Sequence, residues 1–253
     1  MNLGNIDTSI QNKIATVTFS HPASNALPIA LLEELANEFI SLSSNTNVSV
    51  IVLKSEGDRA FCAGASLDEI IAVSIEEEGT AFFMGFANLL NAMRICTKLV
   101  IGSVQGEVVG GGVGLVAACD YCFATEKAAI KLSELSIGIG PFVIQPAVER
   151  KIGKAAFCEL SLDATHWQNA YWAKEKGLFT VVYQSREDMN RAVLEFSEKL
   201  ASFYPEALLE MKKMFWEGTA SWDQLLPQRA EISGKLVLSN YTKLALSKFR
   251  KQN

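Results

Sequence analysis

Three consecutive glycines, Gly110, Gly111 and Gly112, stand between the apolar runs LVIGSV and VGLVAA. Glycine inside a regular element weakens it by about 0.5–1 kcal/mol relative to alanine, so three in a row mark a place where backbone geometry or close approach outweighs local stability. LVIGSV has the β-branched content of a buried strand, and VGLVAA reads as the start of a helix. The triglycine is therefore a strand-to-helix turn with something pressed against its backbone.

The same alternation of strand and helix runs along the chain. Residues 14–20, IATVTFS, alternate apolar and polar as a half-buried strand does. LPIALLEELANEFISL places apolar residues at helical spacing, and VSVIVLKS is a second buried strand. EEEGTAFFMGFANLLNAMRIC reads as a long helix whose acidic first turn suits the macrodipole. AAIKLS and TVVYQ are further strands, and helices dominate from about residue 145 onward. With no linker, repeat or low-complexity tract, the pattern predicts an α/β architecture with a helical C-terminal third.

Composition narrows the function. A chain of 253 residues buries a substantial core in one or two domains. Its net charge of −5 offers no electrostatic footprint for nucleic acid or an anionic membrane. No apolar run approaches the ~18–20 residues that span a bilayer. MNLGNIDTSIQNK lacks a basic region followed by an apolar one, so no secretory signal is read there. Five cysteines, an odd number set in apolar runs, predict reduced thiols in a cytoplasmic protein. Cys119 and Cys122 form a C-x-x-C pair, but zinc needs two further ligands, and His21 and His166 stand far apart. The pair is expected to be small buried packing residues, with no metal site.

Two loops carry the chemistry. AFCAGASLDEI follows a strand, contains glycine and opens a helix at Ser66, with Glu69 three residues on as in a capping box. The triglycine is the second such loop. The first N–H groups of a helix have no partner within it, so two such termini facing one another form an oxyanion site with a donor from each side. Glu134, in KLSELSIGIGP, sits among small and apolar residues that push a carboxylate toward a useful proton-transfer pKa. Spacing alone is equally compatible with a salt bridge or a solvated turn at that position.

Taken together, HPASNAL, AFCAGAS, VQGEVVGGGVGL, ACDYCFATEKA and KLSELSIGIGP resemble the crotonase, or enoyl-CoA hydratase/isomerase, superfamily in order and spacing. The resemblance implies an α/β spiral of ββα turns over residues 1–190, followed by a helical trimerisation region over residues 191–253. It implies that the N–H groups of Ala65 and Gly111 hold a thioester enolate, with Gly110 and Gly114 as further substrate-binding positions beside them. The Ala63 carbonyl would meet the CoA adenine. Arg59, and Lys248, Arg250 and Lys251 near the C-terminus, are the expected contacts for CoA's anionic groups. Coenzyme A belongs to the substrate, so no separate cofactor is expected. The expected partners are an acyl-CoA and further copies of this chain, as a trimer or a dimer of trimers.

One departure sets the expected reaction. The family's hydratases carry a glutamate where this chain has Gly114, paired with the one matched by Glu134. Two carboxylates hold and activate a water, whereas one suffices to carry a proton between the α and γ carbons of a 3-enoyl thioester. The reading therefore favours 3,2-enoyl-CoA isomerisation with Glu134 as shuttle. The alternative is 2-enoyl-CoA hydration, branched substrates such as methylglutaconyl-CoA included. Glu107 and Asp120 lie off the matching position. Trp222, Leu225, Leu226 and residues 236–238 are expected to supply apolar surface for assembly. Two lesser readings are a non-catalytic acyl-CoA binder, against which Glu134 argues, and dinucleotide binding. The latter rests on Gly112-Val-Gly114-Leu-Val-Ala117, a match that stands mid-chain away from its strand.

Overall fold

The computed structural model describes residues 4–249. The chain opens with a hairpin of β1 (Asn5–Gln11) and β2 (Ile14–Ser20). Its two turn residues, Asn12 and Lys13, both have positive φ, the geometry that matches strand twist in a two-residue hairpin. There follow α1 (Ile29–Ser44), β3 (Val50–Ser55), β4 (Ala60–Cys62), α2 (Leu67–Ala72) and α3 (Glu76–Ile95). Next come β5 (Leu99–Val104), β6 (Glu107–Val109), α4 (Gly111–Ala118), β7 (Tyr121–Thr125) and β8 (Ala129–Lys131). A 3₁₀ turn (Glu134–Ile137) leads to α5 (Gln145–Leu162), then β9 (Gln168–Asn169), α6 (Ala170–Glu175), β10 (Val181–Tyr183) and α7 (Arg186–Ala201). The chain closes with α8 (Pro205–Phe215), α9 (Trp222–Leu236) and α10 (Asn240–Phe249).

Two sheets share the strands. The larger runs β1-β2-β3-β5-β7-β10, with only β1 antiparallel to its neighbour, and the smaller runs β4-β6-β8-β9. Each turn of the chain gives one strand to the large sheet, the next to the small sheet, then a helix: β3, β4, α2; β5, β6, α4; β7, β8 and the 3₁₀ turn. This is the spiral of ββα turns that the family resemblance implies. It sets the ends of β4, β6 and β8 side by side, and the segments after them meet.

The register explains why β3 reads as an unbroken apolar run. Ile51 and Leu53 join the main core, while Val50 and Val52 join Ile14, Ile101 and Phe123 on the other face, beneath Met189 and Val193 of α7. A strand covered on both faces keeps no polar alternation. The boundary expected at residues 190 and 191 falls inside α7, which belongs to the sheet's cover. Cys119 and Cys122 are buried free thiols that press on Gly102, where a Cβ would lie 3.1 and 3.2 Å from their sulfurs. They pack, as the sequence reading expected.

The C-terminal third is helical as expected, but the apolar residues expected to serve assembly are placed differently. Helix α9 lies against α3 in the same chain, with backbones in contact: a Cβ on Gly79 would stand 2.7 Å from the Gly234 carbonyl. Trp222, Leu226 and Val237, expected to face another subunit, are buried in this chain's own core, and Leu225, Leu236 and Leu238 are half-buried. Exposed apolar residues nearby include Phe203, Tyr204, Met211, Met214 and Phe215 on and before α8, Ile232 on α9, and Tyr241 and Leu244 on α10. Among the described residues, no helix is long and apolar enough to cross a membrane.

Candidate active site

The loop after β4 is held from behind by residues 24–27. The Ala63 N–H donates to Ser24 O at 3.1 Å, Leu27 N–H to Gly64 O at 2.8 Å, and Ser66 N–H to Leu27 O at 3.2 Å. Asn25, in left-handed backbone with φ +59°, donates through Nδ2 to the carbonyls of Glu56 and Ala60 at 2.8 and 2.9 Å. Buried Gln105 donates to the same Ala60 carbonyl and to Ser55 Oγ. The loop is therefore fixed by satisfied polar groups. The capping box forms by half. Ser66 Oγ accepts from Glu69 N at 3.4 Å, but the Glu69 carboxylate takes the Ile29 N–H at 2.8 Å and so caps α1.

Each glycine of the triplet is required for a different reason. Gly110 has φ +52°, ψ −119°, a conformation closed to other residues, and its N–H donates to Lys131 O at 2.9 Å. A Cβ there would stand 2.8 Å from Glu134 Oε1. At Gly111 a Cβ would strike the Phe86 ring, 2.2 Å from Cε1, and at Gly112 it would strike Cys62 at 2.7 Å. The glycine at 111 thus makes room for Phe86 rather than directly for a ligand. Gly64 closes the gap from the other side: a Cβ on it would lie 2.8 Å from Val109 O and 3.5 Å from Gly111 N.

Between the loops lies a cavity of about 350 Å³ lined by Ala63, Ala65, Gly110, Gly111 and Glu134, with an apolar wall of Phe83, Phe86, Phe142 and Ile144. No carbonyl or side chain of the described residues accepts the N–H of Ala65 or Gly111. Glu134 opens the 3₁₀ turn, and its Oε2 is sealed from solvent without a hydrogen-bond partner. Burial pushes its carboxyl up to about 7, opposed by its own backbone N–H. Two unused donors and a carboxyl held near neutrality face one space. That arrangement can stabilise an oxyanion and move a proton beside it.

The other candidate residues fall elsewhere. Gly114 does not line the cavity; a Cβ on it would lie 2.5 Å from Ile144 Cγ2, so Ile144 fills the volume where a second carboxylate would project. Arg59 is 85% exposed outside the cavity, 3.8 Å from Glu107, which it pairs at the surface. Asp120 forms a buried ion pair with Lys212 at 2.8 Å. Lys248 is exposed on α10, while Arg250 and Lys251 lie outside the described residues. Among the cavity residues that the sequence reading did not single out are two polar ones, Ser233 and Lys131. Ser233 arrives from α9 through the Gly79–Gly234 contact, which leaves no local signal, and Lys131 sits three residues before Glu134.

Residues 9–243 match the protein family described as Enoyl-CoA hydratase/isomerase. The chain belongs to that family. Among curated relatives, the 2,3-dehydroadipyl-CoA hydratase of Escherichia coli is 30% identical over 212 residues, covering 81% of this chain and 79% of the relative. The peroxisomal Delta(3,5)-Delta(2,4)-dienoyl-CoA isomerase of Arabidopsis thaliana is 28% identical over 203 residues, covering 74% and 71%. The crystal structure of an enoyl-CoA hydratase from Bacillus halodurans superposes with a TM-score of 0.89 over 96% of this chain and 99% of that one. At 20% identity this last likeness speaks for the fold alone. The enoyl-CoA hydratase/isomerase assignment confirms the family, the fold and the enzymatic nature expected from the motifs.

Proposed function

We propose that this enzyme isomerises 3-enoyl-CoA to 2-enoyl-CoA, with Glu134 as its only proton carrier. The observation that carries the reading is one carboxyl with a sealed, unpartnered Oε2, raised to about 7, in a cavity with no other acid among its lining residues. The thioester oxygen accepts from the Ala65 and Gly111 amides. The Glu134 carboxylate takes a proton from C2, and the electron pair delocalises into a dienolate whose oxygen those amides hold. The resulting carboxylic acid returns the proton to C4, the double bond moves to C2–C3, and the carboxylate is regenerated. Ala63, Arg59, Lys248 and Lys251 serve CoA in this reading. Assembly as a trimer or a dimer of trimers uses the exposed face of α8.

A second reading, 2-enoyl-CoA hydration, draws support from relatives named as hydratases. The separating experiment assays the purified enzyme on 3-enoyl-CoA and 2-enoyl-CoA of one chain length. Isomerisation exceeding hydration supports the proposal, and efficient hydration overturns it in favour of the second reading.

A further inference from the structure

The cavity lining holds two charged side chains, Glu134 and Lys131. Lys131 ends β8, in register with Val109, and its carbonyl receives the Gly110 N–H at 2.9 Å. It is thus one strand away from the amide proposed to hold the thioester. Its ammonium lies 4.3 Å from the centre of the Trp167 ring, a cation–π contact that fixes where the charge sits. Among the described residues no carboxylate comes within ion-pair distance of it, so Glu134 does not neutralise it. A half-buried cation without a counter-ion among the described residues, lining an otherwise largely apolar cavity, is free to pair with a negative charge that the ligand brings.

CoA's own phosphates are poorly placed to do so. The pantetheine arm separates them from the thioester by more than a lysine side chain spans, and Lys131 is anchored beside the thioester loop. We propose that Lys131 selects acyl chains ending in a carboxylate, so that the preferred substrates are monothioesters of unsaturated dicarboxylic acids. The inference rests on the enoyl-CoA reading of the same cavity and adds the class of acyl chain to it.

The test compares hex-3-enedioyl-CoA with hex-3-enoyl-CoA, and the corresponding 2-ene pair, in wild type, Lys131→Met and Lys131→Arg. Wild type turns over the carboxylate-ended chain with the higher kcat/KM. Lys131→Met lowers the ratio of the two kcat/KM values by about 10–100-fold, the worth of one charge-assisted hydrogen bond, and Lys131→Arg retains part of it. Free CoA binds all three proteins alike by calorimetry. Equal kcat/KM for both chains in wild type, or a parallel loss on both in Lys131→Met, overturns the inference and leaves the enoyl-CoA reading standing. Weakened CoA binding in Lys131→Met reassigns the lysine to a phosphate and also overturns it. Turnover of none of the four thioesters by wild type overturns the enoyl-CoA reading itself.

Discussion

Asp120 and Glu134 are acids taken out of water on either side of β7 and β8, and the chain treats them in opposite ways. Asp120 is surrounded by donors: Lys212 Nζ at 2.8 Å, Trp216 Nε1 at 2.8 Å and the Val100 N–H at 2.7 Å. It ties α8 and the segment after it to the head of β5. Glu134 has a sealed oxygen and no donor to it, beside a glycine that brings the backbone up to its other oxygen. The first arrangement keeps a charge as a fixed strut. The second leaves a proton free to come and go, because neither protonation state is strongly preferred near neutrality.

The largest expected effect breaks the reagent and spares the strut. Glu134→Gln is nearly isosteric and should lower turnover about 10²–10⁴-fold while the circular dichroism spectrum stays that of wild type. Retained turnover would remove Glu134 from the chemistry. The converse substitution, Asp120→Ala, leaves Lys212 buried without its partner and should cost about 3–5 kcal/mol of stability by urea unfolding. If Asp120→Ala unfolds like wild type while Glu134→Gln collapses, the two roles are reversed.

A third expectation follows from linkage. The folded-state pKa of Glu134 is raised, so the folded protein binds this proton more tightly than the unfolded chain does. The proton's contribution to stability is full below the ordinary value of 4.5 and is lost as pH rises through about 7. By pH 8 the ionised group costs roughly 3 kcal/mol, which Glu134→Gln removes. The variant should therefore be more stable than wild type at pH 8, with the gap closing toward pH 4.5. A pH-independent difference in urea midpoint would contradict it.

The smallest effect asks whether Glu134 can be given a companion. Gly114→Ala pushes a methyl into Ile144 and should cost about 1–3 kcal/mol. Ile144→Ala in the same chain should recover part of that loss, measured as a coupling in a double-mutant cycle. Additive losses would mean that Ile144 does not hold the space beside Gly114.

Much of this was legible in the sequence. α1 and α3 follow the apolar spacing read from residues 27–42 and 76–96, and β3 and β5 fall within their β-branched runs. Ala65, Gly111 and Glu134 meet in one cavity because the motifs containing them end successive turns of the spiral. What the sequence concealed is contact at a distance. Phe86 and Ile144, which explain Gly111 and Gly114, approach through the tertiary fold, and no local pattern announces them. Asp120 finds Lys212 and Trp216 more than 90 residues away. The apolar residues of α9 read as free surface because nothing local marks Gly79 and Gly234 as a backbone-to-backbone contact. Apolar periodicity gives a helix a face to bury and does not name the surface that covers it.

The claim that Glu134 is a buried acid poised for proton transfer is tested most directly by titrating that one group. An infrared difference spectrum of wild type minus Glu134→Gln, recorded from pH 4 to pH 9, isolates its protonated carbonyl band. The account predicts that the band disappears with a midpoint near 7. A midpoint near the ordinary 4.5 would mean that water or an unrecognised donor reaches the carboxylate, and the contrast with Asp120 would fall.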